Sequence, residues 1–167
     1  MNKYRIKKTL NFAKKYMSES DKILDLGADN HMSKQLRSDG FNVDNTSSDL
    51  DENYSSVLLD YDIVTAFEIL EHLVSPYPLL KSISAPRLIA SVPLRLWFSK
   101  SFRNMQDEWD QHYHEFEPWQ FEWLLRKAGW EIIYSEKWIN PPKKLGLRYL
   151  LRWIYKRFYI VYAIREK

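Results

Sequence analysis

Short runs of apolar residues alternate with stretches of helical spacing along most of the chain. Apolar side chains, many of them β-branched, dominate residues 22–27, 61–67 and 87–93, which predicts three buried strands. Between these runs, apolar residues recur every three or four positions, as they do on one face of a helix. Strands that alternate with helices indicate βαβ units and a mostly parallel sheet.

The remaining segments extend this pattern. Apolar positions spaced by four, three and four residues predict a helix between Ile6 and Met17. Residues 131–138 and 159–164 are typical of strands, because they are rich in β-branched and aromatic side chains. With a weaker strand at residues 41–45, the pattern predicts a sheet of six or seven strands.

Composition excludes several classes of protein. Hydrophobic residues make up 45% of the 167 residues and charged residues 28%, which is ordinary for one globular domain and excludes a mainly disordered or collagen-like chain. No apolar run approaches the ~18 residues of a membrane span, and no signal-peptide pattern follows the basic start. The chain has no cysteine, so disulfides, thiolate zinc sites and a cysteine nucleophile are excluded. We expect a single cytoplasmic domain over residues 1–167.

Charge is unevenly distributed along the chain. The net charge is +3, but residues 1–15 carry +6 and residues 143–167 carry +7, so the segment between them carries −10. Basic ends on an acidic body indicate anionic partners, either phosphates or a membrane surface. Alternatively, the basic ends are solvated or pair with the acidic body.

Three segments follow one another in an order that is typical of one enzyme family. They are residues 23–29, residues 61–64 with 68–73, and residues 88–93 with 112–116 and 119–132. The first is similar to the motif D-x-G-x-G-x-G. The second is similar to a fourth strand followed by E-x-L-E-H, and the third to a fifth strand, a lid and the next helix. Together they resemble the class I S-adenosylmethionine-dependent methyltransferases of the small type called 11 or 12.

The resemblance implies a Rossmann-like methyltransferase fold. This is an α/β fold with a doubly wound, mostly parallel sheet, helices on both faces, and the strand order 2-1-4-5-7-6. The last strand would lie antiparallel between the fifth and sixth strands. Only 37 residues separate Asp25 from Asp62, fewer than the family usually has. The third strand of the family, and the helix before it, are therefore expected to be shortened or missing.

The implied activity is transfer of a methyl group from S-adenosylmethionine to a small-molecule or glycan-like acceptor. Two alternatives stay open at this point. One is a degenerate relative that binds ligands without catalysis, and the other is a membrane or nucleic-acid binding module that uses the basic ends. Nucleic acid is the less expected partner, because no Asn-Pro-Pro-Tyr-like signature of base methylation appears.

In the first motif, the resemblance assigns cofactor contacts to consecutive residues. Asp25 would orient the loop, and Gly27 would let the backbone approach the cofactor closely. The amides around Ala28 and Asn30 would face the methionyl end of the cofactor. Asp29, which replaces a motif glycine, could attract its ammonium or sulfonium group.

Two further regions complete the predicted cofactor site. The carboxylate that usually holds the ribose hydroxyls would fall near Ser47, and Asp49 or Asp51 could take its place. Phe67 and Glu68 end the predicted strand 61–67 and enter the next segment, and the resemblance implies that they back the cofactor.

Three histidines are the candidate catalytic residues: His72, His112 and His114. Asp110, His112 and His114 alternate, so an extended backbone would bring them to one face as a general base or a metal site. We favour the base and predict no metal site. The resemblance implies that His72 points toward the acceptor, although such a residue can also simply pack at a helix end. Methyl transfer mainly requires alignment and desolvation, with a base only where the acceptor loses a proton.

Two segments lie outside these motifs. Residues 94–117 form a long aromatic connection, which we expect to act as a lid. Residues 143–158 predict an amphipathic helix with Arg148, Arg152 and Lys156 in one basic stripe. Such a stripe fits an anionic membrane surface at the inner membrane face. A helix that simply packs on the sheet would have the same apolar face.

Overall fold

The computed structural model describes residues 3–107, 110–139 and 147–166. Its strands are β1 (Lys22–Asp25), β2 (Asn42–Asn45), β3 (Ile63–Phe67), β4 (Arg87–Pro93), β5 (Trp130–Trp138) and β6 (Phe158–Arg165). Its α-helices are α1 (Lys3–Ala13), α2 (His31–Ser38), α3 (Pro76–Ser82), α4 (Pro118–Lys127) and α5 (Leu147–Ile154). Two short 3-10 turns cover Ser55–Leu58 and Leu70–His72.

The strands form one sheet in the order β2-β1-β3-β4-β6-β5. The first four are parallel, with Ile23 in register between Val43 and Ile63. Strand β6 lies antiparallel between β4 and β5. This arrangement confirms the predicted α/β fold, including the antiparallel last strand.

Neighbouring residues of each buried strand pack into two different cores. Ile23 and Ile63 join one core, which also contains Ile6 and Leu10 of α1 and Leu36 of α2. Leu24 and Val64 point to the other face, where they pack with side chains of α3 and α4. Successive side chains of a strand point to opposite faces, so a strand that is apolar throughout needs helices on both sides.

The expected loss of the family's third strand is confirmed. Residues 46–62 contain the 3-10 turn Ser55–Leu58 and no strand, so β2 is the edge of the sheet in the described part of the chain. The segment is rich in Ser, Asp and Asn, which favour turns that hydrogen-bond their own backbone.

Two segments near the sheet contain little α-helix, and the helix predicted over residues 143–158 ends earlier than expected, at Ile154. The segment after β3 forms only the 3-10 turn Leu70–His72. The predicted helix over residues 143–158 is helical at Leu147–Ile154, and Lys143 and Lys144 lie outside the described residues. No helix in the described ranges is long and apolar enough to cross a membrane.

Candidate cofactor and acceptor site

The carboxyl ends of β1 and β3 meet in the middle of the sheet, where open α/β sheets bind ligands. Residues 26–30, called here the glycine loop, connect β1 to α2. Gly27 has a φ of 101°, in the region that favours glycine. A Cβ at this position would lie 3.5 Å from Ile69, an ordinary contact, so the backbone angle rather than crowding by the protein requires glycine.

Asp25 lies beneath the glycine loop and ties it to the two neighbouring strands. Its carboxylate is 1% exposed and accepts hydrogen bonds from Thr65 Oγ1 at 2.6 Å, Asn30 Nδ2 at 3.0 Å and Asn45 Nδ2 at 3.2 Å. Burial raises the pKa of Asp25 to about 6, although these three hydrogen bonds oppose the shift. Asp25 therefore holds the loop from below.

The loop is also fixed from its sides. The Gly27 amide donates to Thr46 Oγ1 at 2.7 Å, and the Gly27 carbonyl accepts from Asn45 Nδ2 at 3.2 Å. Asn30 caps α2, because its Oδ1 accepts from the amides of Met32 at 2.7 Å and Ser33 at 3.2 Å. Sequence analysis missed the contributions of Asn45 and Thr46, which lie at the end of β2 where a carboxylate was expected.

Two adjoining cavities open above the loop. The first, of about 780 Å³, is lined by the glycine loop, the ends of β3 and β4, and side chains from residues 94–117 and from the region around α5. The second, of about 440 Å³, is lined by the glycine loop and by residues 48–52 and 72–74. Gly27, Ala28, Ile69 and His72 line both cavities. Each cavity is of a size that holds a small organic molecule.

The residues around the cavities fit S-adenosylmethionine. Asp49 lines the second cavity, where a carboxylate can accept hydrogen bonds from ribose hydroxyls. Asp51 lines it too, but its oxygens already accept from the amides of Val74 at 2.9 Å and Ser75 at 3.1 Å. Ala28 is exposed at the junction of both cavities, as a backbone that contacts a cofactor requires.

Besides Asp25, which lies beneath the loop, two predicted cofactor residues lie outside both cavities. The Asp29 carboxylate pairs with Lys34 at 3.2 Å and with Arg37, and the hydrogen bond from Lys34 lowers the pKa of Asp29. Asp29 is therefore occupied by cations of α2 instead of facing a ligand. Ser47 is exposed and lines neither cavity, whereas the next residues, Ser48 and Asp49, line the second one.

Phe67 and Glu68 line the first cavity at the end of β3. Glu68 has a φ of 55°, which is unusual for a residue with a side chain and is common at functional sites. Its carboxylate accepts from Arg5 at 3.0 Å and from Ser91 at 3.1 Å. Burial raises the pKa of Glu68, and Arg5 opposes this shift. Arg5 comes from α1, and the sequence contained no signal that linked it to the site.

Glu71, His72 and His112 meet at one end of the first cavity. The rings of His72 and His112 lie 4.9 Å apart at an angle of 84°. Glu71 is 1% exposed, and its pKa is raised well above the usual value by burial and by the neighbouring charge of Glu68. Burial and His72 lower the pKa of His112. The structure thus brings two of the three predicted histidines together with a buried carboxylate.

His114 lies elsewhere. Its Nε2 is 3.2 Å from the Val74 carbonyl, its ring stacks on Phe116, and it lines neither cavity above the glycine loop. Asp110, His112 and His114 alternate, which predicted that the three side chains share one face of an extended backbone. The backbone of residues 110–114 is not extended, so the predicted face does not form. The amides of both Tyr113 and His114 donate to the Glu71 carbonyl, at 2.9 and 3.2 Å, which requires a turn.

Two residues of the basic stripe predicted for the C-terminal helix, Arg152 and Lys156, lie in different surroundings. Arg152 lines the first cavity, and its Nε is buried without a hydrogen-bond partner among the described residues. Arg157 also lines this cavity, and burial together with Arg152 lowers its pKa. Lys156 is exposed, while the side chain of Arg148 lies outside the description. Arginine side chains therefore face the cavity that also contains the histidine pair.

The sequence matches a family model described as "Methyltransferase domain" over residues 1–135. A search of curated proteins returns no match. Among solved structures, the chain is similar to an S-adenosylmethionine-dependent methyltransferase from Archaeoglobus fulgidus, with a TM-score of 0.66, 14% identity, and coverage of 98% of this chain and 95% of that one.

Two further structures share the fold. One is a chain from the complex between the Haloferax volcanii Trm112 methyltransferase activator and a methyltransferase, with a TM-score of 0.67, 13% identity, and 96% and 88% coverage. The other is phosphoethanolamine N-methyltransferase 2 of Haemonchus contortus in complex with S-adenosylmethionine, with a TM-score of 0.64, 13% identity, and 96% and 53% coverage. With its first motif at the ligand-binding edge of the sheet, and with a family model that matches residues 1–135, the chain belongs to the methyltransferase domain family.

Proposed function

We propose that this protein transfers a methyl group from S-adenosylmethionine to a small-molecule or glycan-like acceptor that carries an anionic group. The observation that carries the proposal is the composition of the first cavity. Its wall includes the glycine loop, the histidine pair and two arginines, Arg152 and Arg157. One space therefore has room for the reacting end of the cofactor and for a negatively charged acceptor.

On the cofactor side, the glycine loop supplies backbone close to both cavities. Asp25 and Asn45 hold this loop, and Asp49 in the second cavity can accept hydrogen bonds from the ribose. Phe67 and Glu68 form the wall behind the cofactor. The bound cofactor supplies an activated methyl group on a sulfonium sulfur, so the protein has to align the acceptor and exclude water.

The two arginines supply positive charge on the acceptor side, and at Arg157 the carboxylates of Glu115 and Glu68 act on this charge from a distance. Within the described ranges, no carboxylate lies within 4 Å of the Arg152 or Arg157 guanidinium, whereas Arg5 pairs with Glu68 at 3.0 Å. Guanidinium groups bind carboxylate and phosphate with paired hydrogen bonds. A carboxylate, a phosphate or a uronic-acid sugar has the chemistry that this wall would recognise.

Residues 94–117 are proposed to cover the acceptor as a lid. Phe102, Asp110 and His112 of this segment line the first cavity, although residues 108–109 lie outside the described part. With cofactor and acceptor bound, these side chains would close the first cavity. The closed cavity would exclude water from the reaction.

Calorimetric titration with S-adenosylmethionine and S-adenosylhomocysteine tests the proposal. We expect saturable binding of one cofactor per chain, followed by methyl transfer from radiolabelled S-adenosylmethionine when a pool of anionic hydroxy compounds is added. Cofactor binding with no transfer to any pool would support the degenerate, non-catalytic alternative. The absence of cofactor binding by folded protein would contradict the proposed function.

A further inference from the structure

We propose that Glu71, His72 and His112 bind a divalent transition-metal ion at the acceptor end of the first cavity. One ligand atom from each of these residues lies within 4.8 Å of the other two. Ligands of one bound ion stand about 3–4 Å apart, since each metal–ligand bond is about 2.0–2.2 Å. Small side-chain rotations therefore close the set around an ion.

Both imidazoles already have the orientation that metal ligands usually need. The Nδ1 of His72 is 2.8 Å from the Gln111 carbonyl, and the Nδ1 of His112 is 3.2 Å from Glu115 Oε1. A carbonyl or a carboxylate can only accept, so each Nδ1 carries a hydrogen, which leaves Nε2 as the ring nitrogen that can bind an ion. Metal-binding histidines are typically held in this way by an acceptor on the other ring nitrogen.

The third ligand is a buried carboxylate with unused capacity. Glu71 is 1% exposed, and its Oε2 has no hydrogen-bond partner among the described residues. Its Oε1 lies 3.8 Å from His72 Nε2, which is too long for a hydrogen bond. Buried polar atoms are rarely left without a partner, because desolvation is costly. An ion between Glu71 and the two rings would satisfy this oxygen.

Asp110 is a further candidate ligand on the open side of the cluster. Its Oδ1 lies 3.9 Å from His72 Nε2, and its side chain is 42% exposed and therefore free to move toward an ion. The donor set of two imidazoles and one or two carboxylates favours Mn²⁺, Fe²⁺, Co²⁺ or Zn²⁺ over Mg²⁺ or Ca²⁺, which prefer oxygen ligands. The remaining positions of the ion would face the cavity.

A metal ion at this site would also activate the methyl acceptor. This part of the inference rests on the proposed function. A hydroxyl oxygen of the acceptor could bind the ion and lose its proton to water more easily, because a divalent cation lowers the pKa of a bound hydroxyl. The histidines would then act as ligands and would not remove the proton themselves. The substrate class would be an anionic alcohol or phenol.

Metal binding can be tested without any methyl acceptor. Untagged protein, stripped with chelator and exchanged into chelator-free buffer, is titrated with Mn²⁺ and with Zn²⁺ by calorimetry, and Mn²⁺ binding is followed by electron paramagnetic resonance. We expect one ion per chain. His72→Ala and His112→Ala should each weaken binding at least tenfold, and Glu115→Gln should weaken it about tenfold through the His112 ring.

The matched control is His114→Ala, which removes an imidazole two residues away whose ring faces another part of the surface. Its ion affinity should equal that of the wild type. Circular dichroism of each variant confirms folding, and one histidine variant suffices if the other does not fold. No ion binding by folded wild type, or binding that survives both histidine variants, would overturn the proposal.

The same metal-free protein is titrated with S-adenosylhomocysteine, so that the two proposals are judged separately. Cofactor binding without ion binding overturns the metal site and leaves methyl transfer supported. Ion binding without cofactor binding supports the metal site and contradicts the proposed function.

Discussion

The carbonyl oxygen of Glu71 accepts a hydrogen bond of 2.9 Å from the backbone amide of Tyr113. This contact joins the turn after β3 to the long segment 94–117. It explains why a histidine on each side of the contact, His72 and His112, can line the same cavity.

Ligand binding should order this segment. Arg95, Lys100 and Arg103 are exposed, so trypsin should cleave there in the ligand-free protein. Saturating S-adenosylhomocysteine should slow cleavage at these sites severalfold, as followed by mass spectrometry of the fragments. The Gly27→Val variant with the same ligand serves as control and should show no protection. Equal cleavage of the wild type with and without ligand would contradict a lid.

Gly27→Val should abolish measurable S-adenosylmethionine binding while the protein stays folded. The residue has a φ of 101° and lines both cavities, so a valine would strain the loop and extend into the cofactor space. The strain should lower the free energy of unfolding by about 1–2 kcal/mol. Calorimetry and thermal unfolding measure the two effects.

Gly40→Val is the matched control for this change. Gly40 has a φ of 94°, but a Cβ there would lie 3.7 Å from Glu19, and it lines neither cavity. This variant should lose similar stability and bind S-adenosylmethionine normally. Normal binding by Gly27→Val would show that the glycine loop is not the cofactor site.

Arg152→Gln and Arg157→Gln should each reduce binding of a small anion. Inorganic phosphate is the probe, at constant ionic strength, and the readout is the thermal stabilisation that it causes. At ten times its dissociation constant, phosphate should stabilise the wild type by about 1.4 kcal/mol. Both variants should lose most of this gain, because the cavity loses a cation.

Lys156→Gln is the control, since Lys156 is exposed and does not line the cavity. It should keep the wild-type response to phosphate. Sedimentation with phosphatidylglycerol vesicles at physiological salt tests the membrane alternative, and the wild type should stay in solution. Co-sedimentation that Lys156→Gln weakens, with no phosphate effect in any variant, would favour a membrane surface over an anionic acceptor.

Stability should fall as the pH rises through the titration of Asp25. Burial raises the pKa of Asp25 from 3.8 to about 6, so the folded state favours the protonated form. The contribution of Asp25 is then fully present below pH 3.8 and is lost as the pH rises through about 6. At 1.36 kcal/mol per pKa unit, the loss between pH 4 and pH 7 is about 2 kcal/mol.

Denaturant unfolding of the wild type and of Asp25→Asn at several pH values measures this effect. The asparagine cannot ionise, and its amide can donate to Thr65 Oγ1 while its oxygen accepts from Asn30 and Asn45. The stability difference between the two proteins should therefore shift by about 2 kcal/mol in favour of the variant as the pH rises from 4 to 7. A constant difference over this range would contradict the raised pKa.

The sequence by itself determined which apolar runs are buried strands and where the glycine loop lies, while the order of the strands followed from the family resemblance. Apolar runs such as residues 61–67 and 87–93 have no polar face, so they must lie inside a sheet that is covered on both sides. The sequence also places two site segments at the same edge of the sheet. Gly27 directly follows β1, and Glu71 and His72 follow β3, so each segment lies at the carboxyl end of a parallel strand. The missing third strand was also predictable, since residues 46–62 are too few and too polar.

Only the tertiary structure decided which side chains share the cavity. Arg5, Arg152 and Arg157 are distant in sequence from the glycine loop, and nothing in their spacing shows that packing turns them inward. The sequence predicted that Asp29 contacts the cofactor, but its carboxylate forms ion pairs with Lys34 and Arg37. His114 was separated from His112 by a turn that depends on the carbonyl of Glu71. Such outcomes follow from contacts between distant segments, which local propensity and periodicity do not contain.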